Sequence, residues 1–283
     1  MVRFGMHSSL WTATWTPAAA ELAVPEAAKY GIKVIEVSLL TPETVEVEHS
    51  RALFREHGIS PSGSLCLPME ATAPHHPKAA ERFLLNALDV AHAIGCDFLG
   101  GVTYSTLGWR SGSPPTEEEY SNIVAALKPV ARRAAEYGMI LGLEPCNRYE
   151  THLLNTAEQA LRLIDRIGEP NLTIHLDTYH MNIEEQGLAA GFKTAGKATS
   201  YVHLSESHRG VPGTGSVDWD EAFAALRATG FQGDLVIESF VTLPAEIAAA
   251  LSVWRPVAKD RYEVLDRGVP FLTDLARKHG LYM

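Results

Sequence analysis

The chain is poor in cysteine. Its three cysteines, Cys66, Cys96 and Cys146, stand alone, 30 and 50 residues apart. That spacing excludes both a zinc knuckle and a disulfide framework, and reads as three reduced, partly buried thiols in a cytoplasmic protein. Long apolar runs are missing too: no segment approaches the roughly 18 residues of a membrane-spanning helix. The first residues, Met-Val-Arg-Phe-Gly-Met-His-Ser, show no charged stretch followed by an apolar one, so no signal peptide is expected. Positive charge is also scarce. Against 24 basic residues stand 34 acidic ones, a net charge of −10. A polyanion would be repelled, so nucleic acid is not an expected partner. No basic amphipathic stretch points to a membrane surface. Low-complexity tracts and interdomain linkers are absent.

What the chain does have is enough apolar residues, 46%, to bury a large core. It also has a recurring unit: a short β-rich run, a polar loop, then a longer segment of helical period. Eight runs read as strands: Phe4–Ser8, Val34–Leu39, Ser62–Leu67, Phe98–Val102, Ile140–Glu144, Thr173–Asp177, Tyr201–Leu204 and Leu235–Ser239. Between them lie helical segments at Ala18–Tyr30, Glu43–His57, Lys78–Ile94, Glu117–Tyr137, Ala157–Ile167 and Asp220–Thr229. The sixth unit is less regular, and the last region, Pro244–His279, contains Pro256 and Pro270 as interruptions. Gly31, Gly58, Gly95, Gly138 and Gly230 fall where a left-handed helix stop is expected. Alternating strands and helices imply a parallel sheet. Eight units in 283 residues, about 35 each, imply that the sheet closes into a single (β/α)8 TIM barrel spanning 1–283 as one catalytic domain.

In such barrels the chemistry sits at the C-terminal ends of the strands. The last four strands deliver Glu144, Asp177, His203 and Glu238 there, at intervals of 33, 26 and 35 residues. Neighbouring strands lie about 4.8 Å apart, so these side chains can converge on one ion. Taken singly, each could be an interior ion pair or a solvated strand end. Together, three carboxylates with no basic residue in the same strands would repel one another unless a cation joined them. Three carboxylates and one imidazole make a hard, oxygen-rich site suited to Mn²⁺, Co²⁺ or Mg²⁺. The following loops add groups suited to a small polyol: Glu150, His180 and Arg209. The stretch Gly210–Gly215 lacks the Gly-Lys-Ser/Thr ending of a phosphate loop and reads as a turn close to the mouth.

The stretches Leu143-Glu144-Pro145, Asn147–Glu150, His175–Glu185, Tyr201–His203, Glu206–Gly210, Gly213–Gly215 and Ile237–Phe240 resemble the ketose 3-epimerases of the xylose-isomerase-like barrels. This group includes the D-tagatose, D-psicose (allulose) and L-ribulose 3-epimerases. The resemblance implies that Glu144, Asp177, His203 and Glu238 bind a divalent metal, usually manganese, and that Glu144 and Glu238 carry the protons. It implies that His180 and Arg209 hold the oxygens at the C1–C2 end of a ketose, with Glu150 in support. Early loops of family members touch the far end of the sugar, which makes Met6, Trp15, Leu107 and Trp109 candidates. A homodimer or homotetramer is implied as well. On the same scaffold, aldose–ketose isomerisation of the hydroxypyruvate- or L-rhamnose-isomerase kind and inosose dehydration remain alternatives. A barrel that binds sugar without turning it over is a further one. A DNA-repair endonuclease is disfavoured by the −10 charge and by the lack of a multi-zinc His/Glu set.

Overall fold

A computed structural model describes residues 2–241 and 245–281. Eight parallel strands, each paired to the next in chain order and β8 back to β1, form a closed barrel. They are β1 (Arg3–His7), β2 (Val34–Ser38), β3 (Ser60–Cys66), β4 (Phe98–Val102), β5 (Ile140–Leu143), β6 (Leu172–Asp177), β7 (Thr199–Leu204) and β8 (Asp234–Ile237). Helices α1 (Pro17–Lys29), α2 (Val47–His57), α3 (Pro77–Ile94), α4 (Glu117–Glu136) and α5 (Ala157–Ile167) intervene. They are followed by α6 (Thr178–Glu184), α7 (Leu188–Ala195) and α8 (Trp219–Thr229). The expected eight-unit architecture is thus present. Among the described residues no helix is long and apolar enough to cross a membrane.

Most strand boundaries shift by one or two residues, and some differences bear on the site or the helices. The segment 43–57 is not one helix. A 3-10 turn at Pro42–Thr44 is followed by extended Val45 and Glu46, and α2 starts only at Val47. β5 and β8 stop at Leu143 and Ile237, so Glu144 and Glu238 are the first residues of their loops. In the last region, α9 (Ala245–Ala250) is followed by a non-helical stretch that contains Pro256. Beyond it, α10 (Arg261–Glu263) runs through a π-turn, Val264–Gly268, into α11 (Val269–Lys278). Pro270 follows directly on that π-turn and does not end the helix. It sits in the first turn of α11, where a missing N–H is tolerated. Pro244 lies outside the described residues. The helix stops hold: at Gly58 and Gly230 the chain turns with φ of 63° and 69°, a conformation that costs glycine nothing.

The main hydrophobic core lies between strands and helices. A separate apolar floor, Phe98, Tyr201 and Val236, lies inside the barrel, with the Phe98 and Tyr201 rings stacked 3.9 Å apart. Gly100 and Gly142 leave room for it, since a Cβ on either would fall 2.5 Å from the Phe98 ring. Above this floor the interior turns polar. Side chains alternate along a strand, and the inward set one step up includes Glu36, His175 and His203.

Candidate active site

The four strand-end residues meet above that layer. His203 pairs across the sheet with Asp177, so the short interval of 26 residues still brings the two side by side. His203 Nδ1 lies 3.5 Å from Glu144 Oε1, 3.8 Å from Asp177 Oδ2 and 3.5 Å from Glu238 Oε1. Ligand-capable atoms of Glu144, Asp177 and His203 all fall within 4.8 Å of one another. All four residues are buried, and Nδ1 itself has no hydrogen-bond partner among the described residues.

Burial pushes the Glu144, Asp177 and Glu238 carboxyls above their usual range, Asp177 to about 6. For His203, burial opposes the charged form, but Glu36 and Glu238 outweigh it and hold the ring well above its ordinary value. The opposite end of the ring is tied down: Nε2 lies 2.7 Å from Glu36 Oε2. A histidine with one nitrogen held by a carboxylate and the other facing oxygen ligands has the arrangement of a metal-ligating imidazole.

A cation does reach these carboxylates, from a loop and not from the strands themselves. Arg209 comes in from the loop after β7, where strand inspection does not look. Its Nη1 donates to Asp177 Oδ2 at 2.8 Å and to Glu238 Oε2 at 2.5 Å. The guanidinium lies over the Tyr179 ring at 3.9 Å and the Phe240 ring at 5.1 Å. Arg209 is also one of two non-glycine residues described with positive φ, 63°. Such a conformation persists only when its surroundings enforce it. Here the Arg209 N–H donates to Glu206 O, and Arg209 O accepts from Phe240 N and Ser239 Oγ. The Glu206 carboxylate in turn accepts from the N–H groups of Ser207, Gly213 and Val217 and from Trp219 Nε1, which shapes the whole 206–217 loop.

His180 stands beside Arg209. Its Nδ1 accepts the Asn147 backbone N–H at 3.0 Å, so in the neutral ring the proton sits on Nε2. Burial, then the nearby Arg209 charge, holds this histidine well below its ordinary pKa, so the ring is neutral. Nε2 lies 3.1 Å from Arg209 Nη2. Both atoms are donors, and the pair presents two N–H groups to any oxygen seated beside them. Glu150 Oε1 accepts from Asn147 Nδ2 and lies 3.8 Å from Arg209 Nη2, and burial raises its carboxyl to about 7.

These groups open into a cavity of about 360 Å³, in the range of small-molecule sites. Of the first-half candidates, Leu107 lines it. Met6, fully buried, belongs to the main hydrophobic core and is not among the lining residues. Trp15 stacks on Phe54 and donates to Ser50 Oγ, away from the cavity. Trp109 packs edge-on against His75 and His152, also outside the lining. One residue along β1 from Met6, His7 does line the cavity, with Ser9, Ser38 and Ser64. The sequence reading missed His7 and Glu36. Alternation along β1 and β2 is the signal that finds both: Phe4 and Met6 share one face and His7 the other, and Glu36 is the lone acid in an otherwise apolar Val34–Val37.

Buried acids, histidines and an arginine around a small cavity at the C-terminal mouth define an α/β-barrel enzyme with a small-molecule site. A family profile described as a xylose isomerase-like TIM barrel matches residues 24–257. An L-ribulose 3-epimerase from Methylomonas sp. (strain DH-1) is 36% identical, with 96% of each chain covered. A ketose 3-epimerase from Arthrobacter globiformis is also 36% identical, with 96% of each covered. The crystal structure of a D-allulose 3-epimerase from Methylomonas sp. in complex with D-allulose superposes with a TM-score of 0.92 at 35% identity, covering 96% of both chains. The chain belongs to the xylose isomerase-like TIM barrel family and, within it, to the ketose 3-epimerases, which are isomerases.

Proposed function

We propose that this protein is a single-domain barrel that epimerises free ketoses at C3 through a cis-enediolate, with Glu144 and Glu238 as the two acid/bases. The substrates are of the D-psicose/D-fructose, D-tagatose/D-sorbose and L-ribulose/L-xylulose kind, in keeping with relatives named for L-ribulose and D-psicose. Inverting C3 requires a proton to leave one face and another to arrive on the opposite face. One base would restore the starting stereochemistry; two carboxylates on either side of C3 do not. The observation that carries this reading is the placement of Glu144 Oε1 and Glu238 Oε1, each 3.5 Å from the same His203 nitrogen, inside one cavity.

The donor set fits a divalent ion. A buried imidazole nitrogen without a hydrogen-bond partner among the described residues faces three buried carboxylates, all hard ligands. Glu144, Asp177, His203 and Glu238 would hold it, with Mn²⁺ the expected ion and Co²⁺ or Mg²⁺ alternatives. When bound, such an ion polarises the ketose carbonyl and offsets charge on the enediolate. Glu144 takes or returns the C3 proton on one face and Glu238 on the other. Burial raises both carboxyls, which counters the loss of basicity that a nearby cation would impose. The paired donors of His180 and Arg209 hold the O2 end, where negative charge develops. Glu150 supports that pair through Asn147 and the Arg209 charge.

The test is a panel of ketohexoses and ketopentoses with added Mn²⁺, a chelated control, and chromatographic identification of products. A second ketose is expected. An aldose would instead mean isomerisation between C1 and C2, and a dehydrated diketone would mean a lyase. No turnover with Mn²⁺ present would leave a sugar-binding barrel.

A further inference from the structure

Below the mouth lies a buried group that the reaction scheme above does not use. Glu36, on β2, is fully buried in the barrel interior. Its Oε2 accepts from His203 Nε2 at 2.7 Å and from Tyr201 OH at 2.8 Å. Ser62 Oγ stands 2.6 Å from the same phenol oxygen. The donors therefore run in one direction: Ser62 to Tyr201, and Tyr201 and His203 to Glu36. Burying a carboxylate this deep is unfavourable unless it is hydrogen-bonded, and an apolar side chain would fill the space without that cost.

We propose that Glu36 is a positioning residue that commits His203 Nε2 as a hydrogen-bond donor and so presents Nδ1 to the mouth. This rests on the metal-centre reading above and adds the element that orients its one nitrogen ligand. A carboxylate only accepts, so with Glu36 in place Nε2 keeps its proton, and it is Nδ1 that gives up its proton and offers a lone pair when a cation binds. The hydrogen bond also fixes the plane of the ring, with Nδ1 3.5 to 3.8 Å from all three carboxylates.

A different role for the same residues fails on geometry. Glu36, His175 and His203 offer atoms within 4.8 Å of one another, which by distance alone could hold a second ion. His175 Nδ1, however, accepts the Gly101 backbone N–H at 3.1 Å. The proton of a neutral His175 ring is then on Nε2, which makes that nitrogen a donor and not a ligand. The 2.7 Å contact between His203 and Glu36 is likewise an ordinary hydrogen-bond length.

The experiment is Mn²⁺ titration calorimetry on the metal-stripped full chain, comparing wild type with E36Q, E36D and S62A. Each is measured below its own metal-free melting temperature, so that affinity is read on folded protein. Wild type is expected to bind one ion. E36Q is isosteric and uncharged, and should bind it about 10- to 100-fold more weakly. S62A, three hydrogen bonds away from His203, should change affinity less than about threefold. If E36Q does not fold, E36D decides: it keeps the charge but withdraws the oxygens, and should also weaken binding at least tenfold. Unchanged affinity in the folded Glu36 variant, with wild type binding normally, overturns this proposal alone. A wild type that binds no Mn²⁺ overturns the metal reading and this proposal with it. Two ions in wild type and one in the variant overturn it as well, because Glu36 would then be a ligand.

Discussion

Arg209 Nη2 and His180 Nε2 lie 3.1 Å apart as two hydrogen-bond donors with no acceptor between them. Two N–H groups set so close are stable only because other contacts hold each one. Asn147 fixes the histidine, and Asp177, Glu238 and the Tyr179 ring fix the arginine. An oxygen seated beside the pair can accept from both N–H groups as negative charge grows on it.

Arg209→Lys should therefore cut kcat by about 10²-fold or more, the scale of losing one such donor. Lysine keeps the charge but loses the planar fork and the stacking on Tyr179. Steady-state kinetics check this. A variant within a factor of three of wild type would remove Arg209 from the reaction.

Glu206→Ala should loosen the loop that sets the Arg209 backbone. Four N–H groups would lose their acceptor. A loss of about 1–3 kcal/mol of stability is expected, read by denaturant unfolding, with kcat falling alongside. Unchanged stability and rate would show that the loop holds its shape without this carboxylate.

Glu150 predicts a pH effect on stability. Burial raises its carboxyl from 4.5 to about 7, so the folded state binds the proton more tightly than the unfolded state. The contribution is fully present below pH 4.5 and is lost as pH rises through 7. Glu150→Gln removes that dependence. Melting temperatures across pH 4.5–8 should fall less steeply for the variant than for wild type; parallel curves would contradict the assignment.

Gly142→Ala tests the barrel floor. A Cβ there would meet the Phe98 ring at 2.5 Å, within a stack that also includes Tyr201. A destabilisation of about 1–3 kcal/mol is expected from such overpacking. A smaller ring neighbour, in a Phe98→Leu/Gly142→Ala double variant, should restore part of it.

The period of the chain, its glycine helix stops and the four residues at the ends of β5 to β8 were all legible in sequence, because each follows from local pattern or unit spacing. Glu36 was not. It is 167 residues from His203 in the chain, and only closure of the barrel brings the two together. Arg209 was legible as a loop group suited to a sugar, but its reach to Asp177 and Glu238 depends on a left-handed backbone that no residue type signals. Met6 and His7 show the cost of ignoring strand parity: one step along β1 separates the apolar core from the cavity. Pro270 read as a break because the sequence does not show that it falls in a helix's first turn.

The central claim is that Glu144 and Glu238 each serve one face of C3. Its most direct test is deuterium incorporation at C3 in D₂O, with Mn²⁺, for wild type, E144Q and E238Q, starting separately from each ketose of an epimer pair. Wild type should form the other epimer and take up deuterium in both. Each single variant should form less than about a hundredth of the wild-type epimer, a barrier increase of at least about 2.7 kcal/mol. Each should exchange C3–H in only one starting ketose, E144Q in one epimer and E238Q in the other. Epimer formation by either variant at more than about a tenth of the wild-type rate, or exchange by both variants in the same ketose, would contradict the two-base account.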